Sequence, residues 1–97
     1  MAAYVVNEIV VTDPAVFQTY VVQVPPTLAP FGGRYLVRSG VSEAIEGEPP
    51  GRLVILEFPD RDAAKAWRTS PAYAAILPIR DASSTSRVYV VDGYTPG

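Results

Sequence analysis

Nine residues near the start of the chain, AYVVNEIVV from Ala3 to Val11, leave a β-strand no polar side. Side chains alternate along extended backbone. Tyr4, Val6, Glu8 and Val10 therefore share one face, and Val5, Asn7, Ile9 and Val11 the other. Both sets are mostly apolar and rich in β-branched residues, which places the strand in the middle of a sheet covered on both sides. A sheet with helices on one face only then needs a second partner for the other.

The following residues predict those helices. In TDPAVFQTYVVQV, Asp13 can accept a bond from a first-turn amide and Pro14 suits the first helical position. Phe17, Tyr20 or Val21, Val24 and Leu28 then recur at helical spacing. Pro25-Pro26 is expected to kink or loosen the last turns, and Gly32-Gly33 to end the unit. RYLVRSGVSEAIEG reads as a long strand bent near Ser39-Gly40, GEPPG (Gly47 to Gly51) as a turn, and RLVILEFP as the next strand. Asp60 is the expected cap of a second helix that turns Ala63, Ala64 and Trp67 to the sheet. Ser70-Pro71 opens a further helical segment that Pro78 should disturb. SSTS reads as a loop, RVYVVDG as the last strand, and residues 94–97 as a C-terminal tail.

The order β-α-β-β-α-β predicts an α+β, ferredoxin-like domain over residues 4–93. It has a four-stranded antiparallel sheet with both helices on one face. A chain of 97 residues makes one domain with little margin of stability, so self-association is a useful way to bury more apolar area.

Val54, Leu56 and Phe58 are wholly apolar and suit the helix side. The uncovered side then takes Leu53, Ile55 and Glu57, Leu36 and Arg38, and Tyr89 and Val91. Asn7 is small enough for close helix packing, which sends Tyr4, Val6, Glu8 and Val10 to the uncovered side as well. Such a face is too apolar for water, and a second copy packed face to face would enclose a barrel. Arg38 would project into that space beside Glu57 or Glu8, because a buried charge needs a partner.

Composition removes several chemistries. The net charge is −2, with ten acidic against eight basic residues and no basic stripe, which argues against nucleic acid as a partner. The chain has no cysteine, hence no disulfide, thiolate catalysis or Cys-ligated zinc. It has no histidine, the commonest general base and metal ligand, and so no His-ligated haem. Asp60, Asp62, Glu43, Glu46 and Glu48 fall on caps, an exposed strand face and a turn, which is no metal set. The expectation is no cofactor, no metal, no signal peptide, no membrane contact and a cytoplasmic setting.

The site candidates each carry two readings. Arg38 and Glu57 are an anion-binding guanidinium beside a carboxylate acid/base, or a salt bridge within the sheet or between subunits. Trp67 and Tyr73 flank Ser70-Pro71 and wall a small-molecule pocket, or belong to the core. Tyr20 follows Phe17 by one turn, and its hydroxyl either reaches the cleft or is tethered in the core. Arg80 closes a pocket or lies on a solvated face. Glu8 joins the ligand set if its strand face lines the pocket.

VTDPAVFQTY, LAPFGGRYLVR, GRLVILEFPDRDAAKAW and SPAY together resemble the bacterial family known as domain of unknown function 1330, of the dimeric α+β barrel superfamily. The resemblance runs from about Tyr4 to Gly93. It implies a ferredoxin-like protomer, a homodimer built through the sheet faces, and a cleft between sheet and helices. It implies no particular reaction. The superfamily includes cofactor-free monooxygenases and haem-handling enzymes, and the lack of histidine separates this chain from the haem branch. Phe17 and Phe31 stand where the family commonly has tyrosine, and Pro78 is a further departure. The expected function is a cofactor-independent enzyme acting on a small anionic or aromatic metabolite. The alternatives are a non-catalytic ligand-binding module and a structural or interaction dimer whose charges fix register.

Overall fold

The computed structural model describes residues 1–96. Four strands, β1 (Ala3–Val11), β2 (Arg34–Arg38), β3 (Arg52–Phe58) and β4 (Ser84–Asp92), form one antiparallel sheet in the order β2-β3-β1-β4. Between β1 and β2 lie α1 (Pro14–Val21), α2 (Pro25–Leu28) and a 3-10 turn over Ala29–Phe31. Between β3 and β4 lie α3 (Arg61–Arg68) and α4 (Pro71–Ser83). This is the ferredoxin-like plan, with the apolar β1 in a central position. Of the expected tail, Gly97 lies outside the described residues. Among the described residues no helix is long and apolar enough to cross a membrane.

The expected caps form. Asp13 accepts the Val16 amide at 3.2 Å, Asp60 the Ala63 amide at 2.7 Å, and Ser70 the Tyr73 amide at 3.3 Å. Each occupies one of the amides that a first turn leaves without a helical partner. Gly32 adopts φ 69°, a left-handed conformation that closes the 3-10 turn and that residues with a Cβ rarely take.

Four local readings are corrected. Pro25-Pro26 does more than kink or loosen one helix: α1 ends at Val21 and Pro25 opens a separate α2, where a missing amide does no harm. α4 continues through Pro78 to Ser83, because Ile76, Arg80 and Ser83 are buried beyond or beside the proline and packing outweighs the lost bond. SSTS is not a loop: Ser83 ends α4 and Ser84–Ser86 begin β4, opposite Val11, Val10 and Ile9. The serine hydroxyls satisfy the last helical carbonyls, Ser83 that of Ile79 and Ser84 that of Arg80, both at 2.6 Å. Finally, the strand after Gly33 stops at Arg38. Ser39 sits at φ 57°, and residues 40–51 hold no strand or helix.

Within β2 the register slips. Arg34 lies opposite Glu57 and Tyr35 opposite Leu56, but Val37 lies opposite Ile55 and Arg38 opposite Val54. One extra residue in β2 makes a bulge between Tyr35 and Val37, and beyond a bulge the alternation changes face. Arg38 therefore shares the helix side with Tyr35, Val54 and Leu56.

The core sits between helices and sheet. Phe58, Trp67 and Tyr73 are its largest members, each at most 2% exposed. The Trp67 ring centroid lies 4.2 Å from that of Tyr73 and 5.4 Å from that of Phe58. The opposite face carries no helix, and Val10, Leu36, Tyr89 and Val91 are exposed there.

Candidate functional site

A cleft opens on the helix side between α1 and the β2 end of the sheet. Its floor is Asn7 and Ile9 of β1, Val54 and Leu56 of β3, and Tyr35 of β2. Phe17, Tyr20, Val21 and Val24 cover it, Trp67 closes the back, and Arg38, Ser39 and Arg52 also line it. The cavity volume is ≈ 40 Å³, room for a few waters or the tip of a small molecule.

Three phenols meet here. The Tyr20 and Tyr73 hydroxyls are 2.8 Å apart and buried. Burial pushes the Tyr20 phenol well above its ordinary pKa, and the neighbouring Tyr73 adds to this. Tyr35 is half-buried; burial raises its phenol too, with Tyr73 adding and the Arg38 charge opposing. The Tyr20 and Tyr35 hydroxyls therefore stay protonated at neutral pH and act as donors. Asn7 is buried, and its Nδ2 donates to the Val54 carbonyl at 3.2 Å and the Val5 carbonyl at 3.5 Å, which leaves its oxygen unengaged within the protein.

Two arginines complete the lining. The Arg38 Cζ lies 4.8 Å from the Tyr35 ring centroid, and the Arg52 Cζ 5.1 Å from that of Phe17. Neither forms an ion pair among the described residues. Stacking on an aromatic face holds the guanidinium while its N–H groups remain available. Among the described residues no carboxylate lines the cleft.

The predicted Arg38–Glu57 pair does not exist. The bulge carries Arg38 into the cleft, while Glu57 stays on the uncovered face, where the Arg34 Nε donates to it at 2.6 Å. Glu8 is on the uncovered face as expected, but not beside Arg38: its carboxylate accepts from Arg87 Nη2 and from the Tyr89 hydroxyl, both at 2.9 Å. Those bonds, Tyr89 first, hold the Glu8 carboxyl below its ordinary pKa.

Tyr20 reaches the cleft and Tyr73 backs it through their shared hydrogen bond. Trp67 is both core and back wall; its Nε1 donates to Thr27 Oγ1 at 3.0 Å. Arg80 is neither solvated nor at the cleft. It is 3% exposed, its Nη2 donates to Ser86 Oγ at 2.6 Å, and its Nε has no acceptor.

Sequence reasoning omitted Tyr35, Asn7 and Arg52 from the site. Arg52 was legible, since it alternates with Val54 and Leu56 on the helix side. Asn7 is expected on the helix side but only as a packing residue, and Tyr35 precedes the bulge, on the face opposite Leu36 in a regular strand.

A family model described as domain of unknown function (DUF1330) matches residues 2–94. Among curated proteins nothing matches. Solved structures share the fold at low identity. The RPA0582 protein of unknown function from Rhodopseudomonas palustris is 16% identical with a TM-score of 0.80, covering 98% of this chain and 84% of its own. SnoaB, a cofactor-independent oxygenase from Streptomyces nogalater, is 17% identical with a TM-score of 0.67, covering 98% and 95%. A protein described as an antibiotic biosynthesis monooxygenase is 15% identical with a TM-score of 0.56, covering 98% and 100%.

Proposed function

The chain belongs to the DUF1330 family, and we propose that its cleft binds a small aromatic or anionic metabolite in its ionised form and acts on it without a cofactor. The observation that carries this reading is the lining: two unpaired guanidinium groups and protonated phenols, with no carboxylate to repel an anion. Such donors stabilise negative charge on a carboxylate, phenolate or enolate oxygen. The Tyr20–Tyr73 pair supplies a proton or holds an oxyanion. Glu57 has no part in the site, so the reaction uses a substrate that arrives ionised or loses its proton to water. The likeness in fold to a cofactor-independent oxygenase supports the same class of chemistry.

The proposal includes a homodimer through the uncovered sheet faces, supported by the exposed Val10, Leu36, Tyr89 and Val91 there. A cytoplasmic setting belongs to it as well.

The test titrates the protein with benzoate and salicylate against the neutral benzamide and salicylamide, following tyrosine fluorescence and amide shifts. The anions should bind and the neutral isosteres should bind at least about tenfold more weakly. Arg38→Leu should lose the anions yet keep its unfolding free energy to within about 1 kcal/mol, since it removes a cation–π contact and strands no carboxylate. Equal binding of anions and amides, or full affinity in Arg38→Leu, would falsify the proposal.

A further inference from the structure

A second groove runs between α3 and β4, away from the mouth of the phenol cleft. Its volume is ≈ 270 Å³, with Val5, Ala64, Val88 and Val90 as apolar walls and Lys65 and Arg68 beside them. Neither cation pairs with a carboxylate among the described residues. Arg68 is held with its Cζ 5.2 Å from the Tyr73 ring centroid, and its Nη1 is buried without a hydrogen-bond partner. A buried donor without an acceptor costs free energy, a cost that a carboxylate or carbonyl brought to Arg68 would offset. β4 is also an edge strand, with one side of its backbone free to pair.

The chain carries a complementary segment. Residues 39–51, SGVSEAIEGEPPG, form an arm between β2 and β3. Val41 and Ile45 on it are 102% and 100% exposed, and Glu43, Glu46 and Glu48 are exposed with no cation partner. Burying an aliphatic side chain of that size is favourable, so both gain from an apolar partner. Gly47 at φ 72° turns the arm, and Pro49-Pro50 stiffens its return, which lowers the entropy lost on docking.

We propose that the arm of one copy docks in the α3–β4 groove of a second copy. Val41 and Ile45 lie on the apolar walls, and Glu43 and Glu46 meet Lys65 and Arg68. The arm leaves the sheet on the β2–β3 side and the groove runs along the opposite edge, so a two-fold pair makes both contacts at once. Six extended residues reach about 20 Å, enough to pass around a sheet edge. The inference rests on the dimer reading only in requiring a second copy; the face-to-face contact can stand without the arm.

The chain has no cysteine, which makes cross-linking unambiguous. The double variant Glu46→Cys with Lys65→Cys, both sites exposed, should give a disulfide-linked dimer under mild oxidation. Neither single variant should. Independently, Lys65→Glu with Arg68→Glu should weaken the dimer at least about tenfold by light scattering, and adding Glu43→Lys with Glu46→Lys should restore it. A dimer that neither cross-links nor responds to charge reversal overturns the arm and leaves the face-to-face reading intact. A monomer at every concentration overturns both. An internal disulfide in a monomer overturns the exchange between copies.

Discussion

On the covered face of the sheet, Arg38 and Arg52 lie against aromatic rings and meet no carboxylate among the described residues. On the open face, Glu8 and Glu57 each hold an arginine from the neighbouring strand. The register explains the second pattern: Glu8 stands directly opposite Arg87, and Glu57 opposite Arg34. Directly opposed unlike charges stabilise a sheet modestly and neutralise its surface. The open face is therefore an apolar surface whose charges are already satisfied, suited to another protein surface. The covered face keeps donors in reserve, suited to a small anion.

The largest test of this contrast compares packing on the two sides. Trp67 is 2% exposed and Leu36 is 46% exposed. Trp67→Ala should cost about 3–5 kcal/mol in chemical denaturation, from lost burial and the cavity left behind. Leu36→Ala should cost less than about 1 kcal/mol in the monomer. If a second copy covers the open face, the Leu36→Ala loss grows with protein concentration while the Trp67→Ala loss does not. Equal, concentration-independent losses would show that the faces do not differ in this way.

The residues that made the fold legible are those whose signal is local. The two-sided apolarity of Ala3–Val11, the three helix caps and the alternation in Leu53–Phe58 each depend on near neighbours, and each appears in the structure. The site was less legible because one residue decided it. The bulge in β2 is a property of the β2–β3 pairing, with no glycine or proline inside the strand to announce it, and it moved Arg38 to the other face. Arg80 was misread for a related reason. A charged residue late in a helix reads as solvated, and its burial depends on Ser86, which the serine-rich composition assigned to a loop. Pro78 failed as a breaker because tertiary packing overrode a local preference.

A smaller test concerns the caps, which belong to the covered side alone. Asp60→Ala and Asp13→Ala should each cost on the order of 1 kcal/mol. Asp60 should cost more, because its bond to the Ala63 amide is 2.7 Å against 3.2 Å for Asp13 to Val16. α3 also packs on the central strands β1 and β3. Denaturation midpoints matching the parent protein would mean that these helices begin elsewhere in solution.

The smallest effect lies on the open face and depends on pH. An unfolded glutamate titrates near its ordinary value of 4.5, and the Tyr89 and Arg87 bonds hold Glu8 below it in the folded protein. Folded protein therefore releases this proton more readily. The stabilisation from Glu8 is full above the ordinary value and is lost as pH falls through the lowered folded value. Glu8→Gln should flatten that part of the acid limb. Tyr89→Phe and Arg87→Gln should each move the Glu8 carboxyl resonance to a higher titration midpoint, because the Tyr89 bond and the Arg87 bond and charge all lower it. The Arg87 side chain is 79% exposed in the single chain, so added salt should weaken its share there. Under a second copy the same pair would lose its solvent, and the salt dependence should shrink as protein concentration rises. A Glu8 midpoint indifferent to Tyr89→Phe would remove the hydrogen bond from the account and leave the open face neutralised by arginine alone.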